Sequence, residues 1–183
     1  MDKVMEMKRN NEEIAEKFSE MERRLSSATS PADLFERWAV GMADAFGIPF
    51  LWISLIACPE NVPLIDALRG SVVLKDRVSI IDEATFTDLA LKGDTPVLVN
   101  EALRPFFRLL PQNKYFIKSM AVAPITSNGR IIGSLNHGDP SPKRYDPDMD
   151  TSLLKSLAAK ISTCLAVAAP PLENDIDVSQ PST

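Results

Sequence analysis

The residues of this chain that could do acid–base or thiol chemistry are few and lie far apart in the sequence. His137 is the only histidine, and Cys58 and Cys164 are the only cysteines. An imidazole titrates near neutral pH and a thiolate is a strong nucleophile, so Cys58 and His137 together would make a small thiol enzyme. Neither cysteine has a histidine, a cation or a helix start beside it in the sequence. We therefore interpret both as core cysteines and expect a non-catalytic protein.

His137 belongs to a short polar stretch, residues 136–139, that follows an apolar run. One interpretation is the rim of a ligand site. The other, which we favour, is structural: the carboxylate of Asp139 accepts hydrogen bonds from turn backbone, and His137 is a half-exposed residue at the end of a strand.

Three carboxylates at alternate positions, Asp146, Asp148 and Asp150, resemble part of a calcium loop. The glycine of the turn and the closing glutamate of such loops are missing. Carboxylates near the start of a helix are favourable without a metal ion, so we expect a capping role. One histidine and two distant cysteines do not provide a zinc site either, and we predict no metal and no cofactor.

Charge and hydropathy exclude several classes of protein. The formal net charge is -5 and the isoelectric point is about 5.0, which argues against a nucleic-acid binder. The charged first residues do not form a signal peptide, and the apolar runs are too short to cross a bilayer. Two separated cysteines in such a chain favour a reducing compartment, so we expect a cytoplasmic protein with no membrane association.

Residues 1–29 are predicted to form a coiled-coil helix. Apolar residues and one asparagine recur at alternating spacings of three and four, which is the pattern of a heptad seam. Asn11 falls at an a position, where a buried asparagine favours a parallel dimer. The alternative is a single helix that docks on its own domain; we favour a homodimer. The seam consists of Val4, Met7, Asn11, Ile14, Phe18, Met21 and Leu25.

Residues 30–169 are predicted to form one globular domain, and residues 170–183 an acidic disordered tail. Ser30 and Pro31 start a helix that Gly47 ends, and Asn128-Gly129 suits a two-residue hairpin turn. The further predicted elements are strands 49–57, 96–99, 119–126 and 130–138, one or two short strands in 71–81, helices 82–92 and 147–167, and a helix or ordered loop at 101–113.

This order of elements resembles the GAF fold, and the closing block resembles a bacterial group of GAF relatives termed domain of unknown function number four hundred and eighty-four. The motifs that carry this resemblance are Ser119, Ala123-Pro124-Ile125, Ile132-Gly133-Ser134-Leu135, Asp139-Pro140, Arg144-Tyr145 and Pro147 through Met149 to Thr151. The resemblance implies an α+β fold: a GAF-like antiparallel sheet of about six strands, with helices on both faces. The cyclic-nucleotide and bilin motifs of other GAF domains are missing.

The resemblance also implies a ligand on the sheet face opposite the first and last helices. The middle segment of the chain would cover this face, and its basic residues could bind an acidic ligand. The predicted ligand-binding residues are Arg77, Ser119, His137, Phe86 and Phe107. We expect a dimeric sensory module that binds an unknown small molecule and signals to a partner protein. The alternatives are a small enzyme that uses Cys58 and His137, and a ligand-free structural module.

Overall fold

The computed structural model describes residues 2–89, 93–112 and 116–168, and the predicted tail lies outside these residues. The helices are α1 (Asp2–Ser26), α2 (Pro31–Phe46), α3 (Val62–Arg69), α4 (Glu83–Asp88) and α5 (Ser152–Ala168). The strands are β1 (Phe50–Ile56), β2 (Val78–Ile81), β3 (Val97–Val99), β4 (Ser119–Ser127) and β5 (Arg130–Asp139). Two 3₁₀ turns lie at Pro59–Asn61 and Arg104–Leu109.

The strands form a sheet in the order β2-β1-β5-β4-β3. The predicted α+β class is confirmed, with five strands in the described residues where about six were expected. The sheet is mixed and not purely antiparallel, because β1 and β2 pair in parallel while the other neighbours are antiparallel. The parallel pair follows from α3, which lies between β1 and β2 and carries the chain back to the end where β1 began.

Local turn and cap chemistry confirms several predicted boundaries. Asn128 and Gly129 have φ values of 51° and 75°, as a two-residue hairpin turn between β4 and β5 requires. The Ser30 hydroxyl accepts a hydrogen bond from the Asp33 amide, and Gly47 adopts a left-handed conformation at the end of α2. The last helix begins at Ser152 and not at Pro147, because Asp150 accepts the Ser152 amide and caps the helix there.

The two faces of the sheet have different cover. The helix face, which we define by Ile53, Ala121 and Leu135, packs against α1, α2 and α5 in the larger apolar cluster. The loop face, defined by Trp52, Met120 and Val122, packs against α4 and the 3₁₀ turn in a smaller cluster. β1 therefore has neighbours on both edges and cover on both faces, as its largely apolar sequence indicates.

The predicted coiled-coil seam of α1 divides into two parts. Met21 and Leu25 are buried in the core of the same domain, and the Phe18 ring lies 4.9 Å from the Phe46 ring. This half docks intramolecularly, as our alternative interpretation had it, and is not free for a second helix. Val4 and Met7 in the other half are 73% and 67% exposed.

Gly41 of α2 lies at the contact between α1 and α2. A Cβ atom on Gly41 would overlap the Met21 sulfur, so the missing side chain is where α1 approaches α2. The heptad pattern of α1 does not reveal this intramolecular contact, because it depends on a residue of a different helix.

Candidate functional site

The loop face carries a buried polar network in the middle of an apolar surface. In the sheet, Ser54 of β1 lies opposite Ser79 of β2 on one side and opposite Ser134 of β5 on the other. Trp52 lies opposite Asn136 in the same ladder. Residues directly opposite across neighbouring strands share a face, so register alone brings these five side chains together.

The side chains of the network are hydrogen-bonded to one another. Asn136 Nδ2 donates to Ser54 Oγ at 2.9 Å, and Ser134 Oγ donates to Asn136 Oδ1 at 2.9 Å. Ser54 Oγ and Ser79 Oγ are also 2.9 Å apart. All these side chains are buried. We refer to Trp52, Ser54, Ser79, Ser134 and Asn136 as the serine–asparagine network.

The network ends on one acceptor, the carbonyl oxygen of Leu109. Ser79 Oγ lies 2.6 Å from it, Trp52 Nε1 2.7 Å and Ser54 Oγ 2.9 Å. Leu109 is the last residue of the 3₁₀ segment Arg104–Leu109, which covers this part of the sheet. Its side chain is buried in the loop-face cluster.

Counting hydrogens gives the network a direction. A carbonyl oxygen has two lone pairs, and each serine hydroxyl has one hydrogen to donate. One arrangement within these limits has Trp52 and Ser79 donating to Leu109 and Ser54 donating to Ser79; exchanging the roles of the two serines satisfies the limits equally. Asn136 then donates to Ser54. The donors of β1 and β2 thus point to one acceptor position, and Asn136 of β5 supports them through Ser54. The network residues are suited to hold an oxygen acceptor, here the Leu109 carbonyl, and none of them is an acid or a base.

An open cleft of about 400 Å³ adjoins the network and shares Trp52 with it. The predicted ligand residue Arg77 lies in this cleft, where its Nη1 donates to the Leu51 carbonyl at 3.1 Å. Pro111, two residues after Leu109, forms part of the opposite wall. The cleft therefore opens beside the acceptor position at the edge of the cover.

Phe86 and Phe107 lie on the face where we predicted the ligand. Phe86 of α4 is buried in the loop-face cluster, and Phe107 of the 3₁₀ segment packs on it while half-buried. Both contribute to the cover of the sheet, as the sequence indicated.

Ser119 and His137 lie on the opposite face, which corrects their assignment to the predicted ligand surface. His137 pairs with Leu51 and Ala121, which point into the helix-face core. Ser119 shares that face at the strand end, and its hydroxyl donates to the Ser141 carbonyl at 2.6 Å. Alternation along a strand had left either orientation open, and the packing of α2 on the sheet decides it.

His137 is also buried and not half-exposed. Its ring lies 6.0 Å from the Trp38 ring and 6.0 Å from the Tyr145 ring, between α2 and the turn after β5. His137 Nε2, Trp38 Nε1 and the Tyr145 hydroxyl are buried without a hydrogen-bond partner among the described residues. We call these three side chains, together with Arg144, the histidine cluster.

Burial governs titration in the histidine cluster. Desolvation, helped by the nearby Arg144 charge, lowers the pKa of His137 to about 3. Desolvation raises the pKa of the Tyr145 hydroxyl. Both groups are therefore neutral in the folded protein near pH 7. Arg144 itself donates to the Phe46 carbonyl and pairs with Asp139 at 3.4 Å, and not with the carboxylates at 146, 148 and 150 that lie closer to the last helix.

The two residues of the thiol-enzyme alternative are not brought together. His137 pairs with Leu51 near the start of β1, whereas Cys58 follows the end of that strand. At about 3.3 Å per residue, these positions are roughly 20 Å apart. In the described part of the chain, no group of three or more His, Cys, Asp or Glu residues is placed to hold a metal ion.

Sequence reasoning included Asn136 in a candidate ligand rim but missed Trp52, Ser54 and Ser79, although a signal was present. Ser54 is the one polar residue in the apolar strand FLWISLI, and Ser79 occupies the corresponding place in VSII. A polar residue inside a strand that is buried on both faces needs a hydrogen-bond partner nearby. That requirement, applied to two neighbouring strands, indicates a buried polar network between them.

Comparison with known proteins identifies the family and the fold of this chain. The family model described as "Protein of unknown function, DUF484" matches residues 1–166. Among curated proteins, no significant sequence match was found. Among helices in the described residues, none is long and apolar enough to cross a membrane.

Three solved structures share the fold at low sequence identity. The GAF domain of Acinetobacter phosphoenolpyruvate-protein phosphotransferase is 16% identical, with a TM-score of 0.55 over 84% of this chain and 92% of that one. Free methionine-R-sulfoxide reductase from Neisseria meningitidis is 14% identical, with a TM-score of 0.54 over 82% and 87%. The Staphylococcus aureus fRMsr is 17% identical, with a TM-score of 0.51 over 81% and 95%. The chain therefore has a GAF-like fold.

Proposed function

The chain belongs to the family described as protein of unknown function, DUF484, and we propose that it is a non-catalytic sensory or regulatory module that binds a small molecule on the loop face. The observation that carries this proposal is the serine–asparagine network, whose donors converge on one buried acceptor position beside an open cleft. Convergent polar groups in an otherwise apolar surface are typical of small-molecule sites.

The cover of the loop face supports the same function. It consists of α4, with six residues, and the 3₁₀ segment, whereas the helix face is covered by helices of 16 to 25 residues. Short covering segments open at a lower free-energy cost than long packed helices, which suits entry of a ligand. The free cysteines Cys58 and Cys164 fit a reducing cytoplasm.

Native mass spectrometry of the freshly purified full chain tests ligand binding. We expect a retained small molecule, and hydrogen exchange should show slower exchange in 83–89 and 104–112 when it is bound. Helix α2 serves as the internal control and should exchange at the same rate with and without the ligand. Failure of the protein to retain any small molecule from a cell extract would contradict the sensory function.

We also propose that output passes through a dimer formed by residues 4–14 of α1. Val4 and Met7 are exposed, and with Asn11 and Ile14 they keep heptad spacing in the half of α1 that does not dock on its own domain. A second copy of the same helix is complementary to this stripe, and Asn11 at an a position would pair with its counterpart.

Sedimentation of Val4→Glu/Met7→Glu tests the dimer. We expect a dimeric wild type and a monomeric variant that still unfolds cooperatively, because both side chains are exposed in the single chain. Glu12→Gln/Glu13→Gln, on exposed positions outside the seam, is the control and should stay dimeric. A monomeric wild type would disprove this interface.

A further inference from the structure

We propose that the 3₁₀ segment Arg104–Leu109 is a displaceable occupant of a carbonyl-binding site. The molecule that displaces it carries a neutral carbonyl group next to a branched aliphatic group. The inference rests on the proposed function, since it places the ligand on the loop face, and it names the residues that bind and the chemical class that they select.

Leu109 occupies this site as a ligand would. Its carbonyl receives hydrogen bonds from Trp52 and Ser79 of the sheet, and its side chain is fully buried in the loop-face cluster. The donors belong to the rigid strands β1 and β2, while the acceptor belongs to the cover. When the segment leaves, the sheet keeps an aligned set of donors, and an acceptor from water or from a ligand must replace the Leu109 carbonyl; a ligand that also fills the apolar space of the Leu109 side chain keeps water out.

Leu109 is the one fully buried side chain of the segment, and the other contacts of the segment are weaker. Its residues Phe106 and Phe107 are only half-buried. Arg108 pairs with Asp88 at 3.6 Å, but both side chains are more than half exposed, and such pairs contribute little. The cleft at Trp52 and Pro111 adjoins the acceptor position, so a molecule reaches the Trp52 indole by lifting one end of the cover.

The chemistry of the donors selects a neutral ligand. The network consists of an indole, hydroxyls and an amide, and contains no charged group. A carboxylate buried there would need a cation to offset its desolvation. The guanidinium of the cleft, Arg77, already donates to the Leu51 carbonyl and lies beside Asp76. Amides, lactams and ketones therefore fit better than acids.

Nuclear magnetic resonance of the full chain, labelled with ¹⁵N, tests this inference directly. The chain has two tryptophans, so its spectrum has two indole N–H signals, and Trp52→Phe identifies the signal of the network. The probe is N-acetyl-L-leucinamide, which reproduces the side chain and carbonyl of Leu109. N-acetyl-L-leucine has the same side chain with a carboxylate and serves as the charged comparison.

Leu109→Ala removes the anchor of the segment and leaves the donors intact. We expect it to bind the probe at least tenfold more tightly than the wild type, with a shift of the Trp52 indole signal and none of Trp38. Leu110→Ala is the matched control, since Leu110 is half-buried and its carbonyl is outside the network; it should bind as the wild type does. Adding Ser79→Ala to Leu109→Ala should lower the affinity about tenfold.

Three results would overturn the inference: a folded Leu109→Ala that leaves the Trp52 signal unmoved, an unchanged affinity on adding Ser79→Ala, or tighter binding of the carboxylate. If Leu109→Ala does not melt cooperatively, Leu109→Val takes its place, with an expected gain of about threefold. A natural ligand that stays bound to a Ser54→Ala/Ser79→Ala variant would also overturn it and leave the sensory function standing. If the wild type retains no ligand but Leu109→Ala still binds the probe, the sensory function is contradicted and the carbonyl-binding site stands.

Discussion

Asn136 and His137 are neighbours in β5, yet their side chains lie on opposite faces of the sheet in polar clusters of opposite character. On the loop face, Asn136 belongs to a network in which each hydroxyl has a partner. On the helix face, His137 lies with Trp38 and Tyr145, and each of the three has a buried polar atom without a partner in the described residues. Both clusters are buried in the same sheet, so burial alone does not distinguish them.

The two clusters differ in whether a ligand can replace one of their hydrogen-bonding groups. The serine–asparagine network directs its hydrogens to a single carbonyl, and a molecule with the same acceptor chemistry can replace that carbonyl. The histidine cluster holds its groups by aromatic packing and responds instead to protonation. A titratable residue was the more conspicuous candidate in the sequence, but the arrangement suited to a ligand is made of residues that do not titrate.

Asn136→Leu should have the largest effect on this comparison. It leaves Ser54 and Ser134 buried without one of their partners, and we expect a loss of about 3 kcal/mol in the free energy of unfolding. His137→Leu is the matched variant on the other face. It removes a buried nitrogen that lacks a partner, and should change stability by less than about 1 kcal/mol at pH 7. Urea unfolding measures both, and equal losses would show that the two clusters do not differ.

The pH dependence of stability should be the next largest effect. Because the pKa of His137 is lowered to about 3 on folding, the unfolded chain binds a proton that the folded protein excludes. Stability from this residue is therefore complete above pH 6.5 and is lost as the pH falls toward 3. Between pH 6.5 and pH 5 the loss is about 1.5 kcal/mol.

His137→Leu is the reference for this measurement, because it keeps every carboxylate, including the nearby Asp139, and the charge of Arg144. The difference in the free energy of unfolding between wild type and His137→Leu should change by about 1.5 kcal/mol between pH 6.5 and pH 5. The same pH dependence in both proteins would mean that His137 is accessible to protons in the folded state.

Tyr145→Phe should have the smallest effect. It removes a hydroxyl that has no partner among the described residues, so we expect stability to stay within about 0.5 kcal/mol of the wild type or to rise. Ser79→Ala also removes one buried hydroxyl and should cost about 1 kcal/mol, because it takes a hydrogen bond from the Leu109 carbonyl. Thermal melting of Tyr145→Phe and Ser79→Ala side by side checks whether losing a hydroxyl costs more stability when that hydroxyl has a hydrogen-bond partner.

Local chemistry was readable from the sequence. The hairpin at Asn128-Gly129, the cap at Ser30 and the end of α2 at Gly47 depend on residues within one turn of each boundary, and all are found where expected. The GAF-like fold was readable from the order of elements and the motifs of the closing block. Alternation also showed correctly that His137 shares a face with Leu135.

The tertiary structure decided what alternation and heptad spacing leave open. A period of two tells which residues share a face, but only packing against α2 shows that the face of His137 is the helix face. Heptad spacing predicts an apolar stripe on α1, but only the packed structure shows that Met21 and Leu25 of this stripe are buried in the core of the same domain. The network needed the register of three strands and a carbonyl 30 residues beyond Ser79 in the chain. Such long-range pairings depend on the whole core; the isolated Ser54 and Ser79 indicate that a partner is needed, but not which one.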